Sequence, residues 1–250
     1  MSSLTIFSVN GFMGNMWLGP QAEVGAAVQK ATGIWWQPIG FDSSPVPLST
    51  GVNNGRAAFR TARQEHPGPC LLTAWSEGAC ILTEELKADP QLLADCKGGA
   101  FYGNPYRAAG QWNPSGSALG AVGDPGGAGV GGPAKNWQTP DTIHHYCHGP
   151  NQPSYDGLPG IDQYTCCSTG EDGDIARIFY NFVFAQWTGA FEEIMVVAQD
   201  LVKNTGMTLF MAIKTAIEWI EFFAGNTGPH TDYTSYAGAA YLTGVARSIL

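Results

Sequence analysis

Apolar residues recur along this chain in two rhythms, and their alternation predicts strands and helices in turn. Leu4 to Val9 is a short, mostly apolar run of strand length, the mark of a strand covered on both faces. Ala22 to Lys30 spaces its apolar residues as a helix does. Ile34 to Ile39 suits a second strand, and Pro38 confines it to a sheet edge. Pro45 to Asn54 reads as a loop and Gly55 to Arg63 as a second helix. Cys70 to Trp75 reads as a third strand, running into a helix from Gly78 to Leu86. Gly99 to Arg107 reads as the next strand with its exit loop, and Thr142 to His148 as a short strand. Strands alternating with helices imply an α/β architecture: a mostly parallel sheet with right-handed crossovers and helices on both faces.

Two stretches break this rhythm. Gly110 to Pro140 is rich in Gly, Pro, Ser and Asn and follows neither period, which in a compact domain marks a functional or a disordered loop. From Asp174 to Phe223, Phe179, Phe182, Trp187, Phe191 and Ile194, then Phe210, Ile213, Ile217 and Ile220, recur at helical spacing. These predict two to four packed helices. We read one domain over 1–250 with an inserted helical lid or linker subdomain at about 175–224. Such surface is core in most proteins, but a lid lined by Phe, Met and Trp would also shelter a long acyl chain. A turn-rich loop, Asn226 to Tyr233, precedes a last helix from Ala237 to Leu250.

Composition narrows the function classes. With 44% apolar and 13% charged residues, the chain can bury an ample core under a weakly charged surface. No run approaches the roughly 18 apolar residues that span a bilayer. A net charge of −9, with 12 basic residues and no basic cluster, argues against nucleic acid. Met1 to Thr5 has no basic n-region or cleavage site, so no secretory signal is expected. Six cysteines are too few for a disulfide scaffold at this length, though one or two bridges stay open.

The chemistry centres on Ala74-Trp75-Ser76-Glu77-Gly78, where a strand meets small-x-Ser-x-small and then a helix. This is the context of a nucleophile elbow, in which small neighbours let strand and helix pass closely around a strained serine. The backbone N–H of Glu77 is a candidate oxyanion donor, and its side chain reads as dispensable. Asn10-Gly11-Phe12 follows the first strand, so the backbone N–H groups of Gly11 and Phe12 are candidates for the second donor. Asp162 lies in a turn rich in Gly and Pro, and His230 in a loop just before the last helix. Ser76, Asp162, His230 in that order match nucleophile, acid and base as an α/β-hydrolase arranges them. Asp156, Asp172 and Asp174 compete for the acid, and Asp141 is less well placed. His66 precedes the nucleophile, and His144, His145 and His148 precede the acid, which favours His230. Strand alternation splits the three histidines and Cys147 across two faces, and no second ligand cluster follows, so neither metal nor other cofactor is expected. No Walker pattern is present either.

Taken together, Val9-Asn10-Gly11, the elbow, Tyr102-Gly103-Asn104-Pro105-Tyr106-Arg107, Gly160-Ile161-Asp162-Gln163-Tyr164 and Pro229-His230-Thr231-Asp232-Tyr233 resemble the lysin B proteins of mycobacteriophages and related actinobacteriophages. That family is related to cutinases. The resemblance covers most of the chain by motif order. It implies an α/β-hydrolase core with a helical insertion before the histidine, and Ser76, Asp162 and His230 as catalytic residues. It also implies cleavage of the ester between mycolic acids and arabinogalactan late in phage lysis. The implied partner is then the mycolyl-arabinogalactan-peptidoglycan wall, met by a monomer made in the host cytoplasm and released at lysis. Ala74 stands where the family's elbow usually has its first glycine, and the glycine-rich 110–140 stretch is a further departure. No N-terminal peptidoglycan-binding module is expected, since the first strand begins at Leu4. Cutinases bracket their acid with a disulfide; Cys147 and Cys166 flank Asp162 and are placed to do the same, with free buried thiols as the alternative. A cutinase-like lipase on other lipid esters, or a non-catalytic wall-binding protein of the same fold, are the competing functions.

Overall fold

The computed structural model describes residues 4–45, 47–112, 124–149, 162, 164–167, 171–185, 191–208, 211–212, 230 and 233–250. Among these residues five strands form one parallel sheet: β1 (Thr5–Val9), β2 (Trp35–Ile39), β3 (Cys70–Trp75), β4 (Cys96–Tyr102) and β5 (Ile143–Tyr146), in the order β2-β1-β3-β4-β5. The helices are α1 (Pro20–Thr32), α2 (Leu48–Glu65), α3 (Glu77–Ala88), α4 (Pro90–Asp95), α5 (Glu171–Ala185), α6 (Phe191–Thr205) and α7 (Tyr236–Ile249). Pro38 sits on β2, the edge strand, where a missing N–H leaves no gap in an inner ladder.

Strand alternation sorts the apolar side chains onto two covered faces. Ile6, Leu71, Ala100 and Tyr102 pack with Val24 and Val28 of α1 and Leu242 and Ala246 of α7. Phe7, Val9, Leu72, Ala74 and Phe101 pack with Val52 and Phe59 of α2 and Ile81 of α3. Burial on both faces is what a parallel sheet requires. A smaller cluster, with Phe179, Phe182, Val197 and Leu201, joins α5 to α6.

Several boundaries differ from the sequence reading. The expected loop at 45–54 is helical from Leu48 onward, against the weak propensity of Gly51, Asn53, Asn54 and Gly55. Packing overrides propensity here: bare positions at 51 and 55 let α2 lie directly on α3, and a β-carbon on Gly55 would collide with Ile81. The short helix α4 was not expected, although Asp89 accepts from the N–H groups of Gln91 and Leu92 and Pro90 follows it, a helix start written in the sequence. In the later part of the stretch with helical spacing, Met211 and Ala212 are helical and Met207 and Thr208 are not; residues 209–210 and 213–223 lie outside the described residues, as does Trp187.

Residues 124–140 of the glycine-rich stretch form an ordered strap. Gly129 N–H donates to Arg107 O, Gly131 N–H to Pro105 O, and Val130 N–H to Tyr164 O, while Ala128 and Cys167 pair in an isolated antiparallel bridge. A β-carbon on Gly129 would run into the Pro105 carbonyl, so the bare backbone is what allows this approach.

Candidate active site

Ser76 stands between β3 and α3 with φ 54° and ψ −119°, a region costly for any residue with a side chain. Neighbouring contacts hold it there: its N–H donates to Tyr102 O at 2.9 Å and its carbonyl accepts from Ala79 N–H at 2.9 Å. Ala74 is fully buried, and a β-carbon on Gly78 would collide with the Val9 carbonyl. The smallness of these two positions therefore lets α3 cross the end of β1.

The three side chains singled out from the sequence meet. His230 Nε2 lies 2.7 Å from Ser76 Oγ and His230 Nδ1 lies 2.9 Å from Asp162 Oδ2. Burial alone would raise the Asp162 pKa, but His230 and hydrogen bonds from His230, Tyr233 and Thr165 hold it below the ordinary carboxylate value. An ionised carboxylate only accepts, so Nδ1 carries the ring proton and Nε2 presents its lone pair to the serine hydroxyl. Asp141 and Asp174 take no part in this line, and Asp156 lies outside the described residues, as does the side chain of Asp172.

The residues that hold this line went unassigned in the sequence. Asp162 receives Tyr164 N–H on Oδ1 at 3.0 Å, and Thr165 Oγ1 and Tyr233 Oη on Oδ2 at 2.7 and 2.5 Å. Its own N–H donates to His148 O at 2.9 Å. Trp75 Nε1 donates to the His230 carbonyl at 3.1 Å, and the imidazole stacks on the Tyr164 ring with centroids 4.2 Å apart. Gly103 follows β4 with φ +55°, and a β-carbon there would lie 2.8 Å from His230 Cε1; both demands point to glycine. Arg107 is fully buried and has carbonyl partners from several segments. It donates to Thr165 O, Gln111 O, Gly126 O and Gly127 O at 3.0, 2.8, 2.8 and 3.1 Å. It thereby ties the strap to the turn carrying Asp162. An Asp with Thr three residues later is a local signal for a side-chain-fixed turn; the other supports are visible only once the chain is folded.

Gly11 lies against the elbow, since a β-carbon on it would fall 3.0 Å from Ser76 Cβ. Among the described residues the N–H groups of Gly11, Phe12 and Glu77 donate to no backbone carbonyl, which leaves them available to an anion. The Glu77 side chain, expected to be dispensable, is buried.

The cysteines carry free thiols, so no bridge joins Cys147 to Cys166; the two meet through a hydrogen bond beside Arg107. His144 stacks on Tyr241, His145 Nε2 lies 2.9 Å from Thr139 Oγ1, and His148 stacks on Tyr233. Among the described residues no three His, Cys, Asp or Glu side chains gather as a metal would need, and no helix is long and apolar enough to cross a membrane.

No protein-family model matches the chain, and no curated protein matches it by sequence. Solved structures do. Lysin B from Mycobacteriophage D29 superposes with a TM-score of 0.68 at 22% identity, over 96% of this chain and 99% of that one. A cutinase-like protein from Cryptococcus sp. aligns over 87% of this chain and 95% of that one, at 13% identity and a TM-score of 0.47. The chain thus has an α/β-hydrolase fold similar to that of lysin B.

Proposed function

We propose that the chain is a serine esterase that cleaves the ester joining mycolic acids to arabinogalactan in a mycobacterial-type wall. The observation that carries the hydrolase part is the continuous line from Ser76 Oγ through His230 to Asp162, mounted on a strained elbow. The substrate follows from the motif resemblance, and the shared fold with lysin B supports it.

In this reading His230 Nε2 takes the Ser76 hydroxyl proton as Oγ attacks the ester carbonyl. Asp162 holds the tautomer and stabilises the imidazolium. The N–H groups of Glu77 and of Gly11 or Phe12, at the positive end of α3, receive the negative charge that develops on the carbonyl oxygen. His230 then returns the proton to the leaving sugar alcohol, and water releases the acid from Ser76 by the same route in reverse. The protein acts at the envelope after release from the cytoplasm where it is made.

Ser76→Ala is expected to abolish p-nitrophenyl ester hydrolysis with the fold retained; full turnover would overturn the assignment. A fluorophosphonate adduct on the Ser76 peptide separates an enzyme from a wall-binding protein of the same fold. Release of free mycolic acid from purified wall complex separates the proposed substrate from other lipid esters.

A further inference from the structure

Glu77 occupies the first position of α3, yet its carboxyl does not reach solvent. The residue is 4% exposed, and Oε1 and Oε2 are both buried without a hydrogen-bond partner among the described residues. α2 lies directly on it: a β-carbon at Gly51 would collide with Oε1. A carboxylate at a helix start is ordinarily stabilised by the helix dipole and by water, but here the carboxyl is buried and, among the described residues, no cation pairs with it. Arg56 and Arg60, the arginines of α2 closest in sequence to Gly51, both turn to Glu85.

The groups that act on Glu77 push toward its neutral form. Burial does so first, and Asp42 in the loop after β2 adds its negative charge; together they raise the Glu77 pKa to about 8. Cys80, further along α3, and Tyr106, from the loop after β4, also sense it, and burial keeps both of those protonated. From β1 and its exit loop, Asn10 and Gly11 bring no charge.

We infer that Glu77 is a positioning residue that must hold its proton for the oxyanion site beside Ser76 to work. As a neutral acid it leaves intact the positive field of its own N–H and of the α3 start. As a carboxylate it places a negative charge behind the group that receives the oxyanion. The inference rests on the esterase reading, with the Glu77 N–H as one donor. A like charge this close behind the donors, at the effective dielectric of a protein surface, weakens the transition state by roughly tenfold or more.

The test compares wild type with Glu77→Gln, which keeps the shape, the backbone N–H and the neutral charge. Initial rates on p-nitrophenyl butyrate from pH 6 to 10 are corrected for spontaneous hydrolysis. The wild-type kcat is expected to fall by roughly tenfold or more around pH 8, while the variant's pH profile changes less than about twofold. The variant should also be at least as stable as wild type at pH 8, since it needs no buried proton. The same alkaline fall in both proteins would overturn the inference and leave the hydrolase reading standing; so would a Glu77→Gln protein that unfolds. No turnover by either protein, with no fluorophosphonate adduct on Ser76, would overturn the hydrolase reading and this inference with it.

Discussion

Tyr233 donates its phenolic hydrogen bond to the same oxygen of Asp162, Oδ2, that faces His230 Nδ1, at 2.5 and 2.9 Å respectively. The acid is therefore restrained from the very segment that presents the histidine. A hydrogen bond to a charged group contributes about 1.5–3 kcal/mol. Tyr233→Phe should therefore lower kcat for ester hydrolysis on the order of tenfold, with KM little changed. Steady-state kinetics on a soluble ester checks this; an equal rise in KM would point to a substrate contact instead.

Asp162→Asn should do more harm. The amide can offer a donor where Nδ1–H needs an acceptor, which favours the wrong imidazole tautomer. The expected loss in kcat is on the order of a thousandfold or more, following the serine-protease precedent. Thermal unfolding should show that the fold survives.

Gly103→Ala tests the space reserved for the imidazole. The new methyl group would meet His230 Cε1 at 2.8 Å on a backbone at φ +55°. Both effects raise the cost, so we expect a destabilisation of about 1–3 kcal/mol together with a loss of kcat. Activity at full wild-type level with lowered stability would show that the histidine shifts without consequence.

Buried histidines set the acid limit of stability. Burial lowers the pKa of His144 to about 4 and, with Arg107 and His144 nearby, that of His145 to about 3. Below an unfolded value near 6.5 the unfolded chain takes up these protons and the native one does not. Their contribution is thus fully present above that pH and is lost as pH falls through 4 toward 3. Glu77 acts oppositely: native protein keeps its proton up to about pH 8 while the unfolded chain gives it up near 4.5, so its contribution is lost as pH rises through that window. Urea unfolding between pH 4.5 and 6.5 should show stability falling with acid, and falling more steeply in Glu77→Gln. A pH-independent midpoint in that variant would refute the assignment.

How much of this was readable beforehand depended on distance along the chain. The elbow was legible because Cys70 to Leu86 writes strand, turn and helix within one short stretch. The meeting of Asp162 and His230 spans 68 positions, and sequence order named the pair without supplying what aligns them. Trp75, Tyr164 and Gly103 hold the imidazole by a carbonyl, a ring face and an empty position, none of which has a linear signature. α2 was read short because its glycines and asparagines disfavour a helix in isolation; the contact with α3 that reverses this is tertiary. α4 has a local signature: Asp89 followed by Pro90 is a start signal in its own right.

The strap over 124–132 reaches the acid's turn through main-chain groups: Val130 N–H on Tyr164 O, and the paired bonds of Ala128 and Cys167. Main-chain attachment leaves the identity of most strap side chains irrelevant to where the carboxylate points. Sequence drift along this segment should therefore be cheap for the chemistry except at bare positions such as 127, where a β-carbon would meet the Cys167 carbonyl, and 129. At 129 a single added carbon would pry the strap from Pro105 and carry the disturbance to a serine on a different part of the sheet.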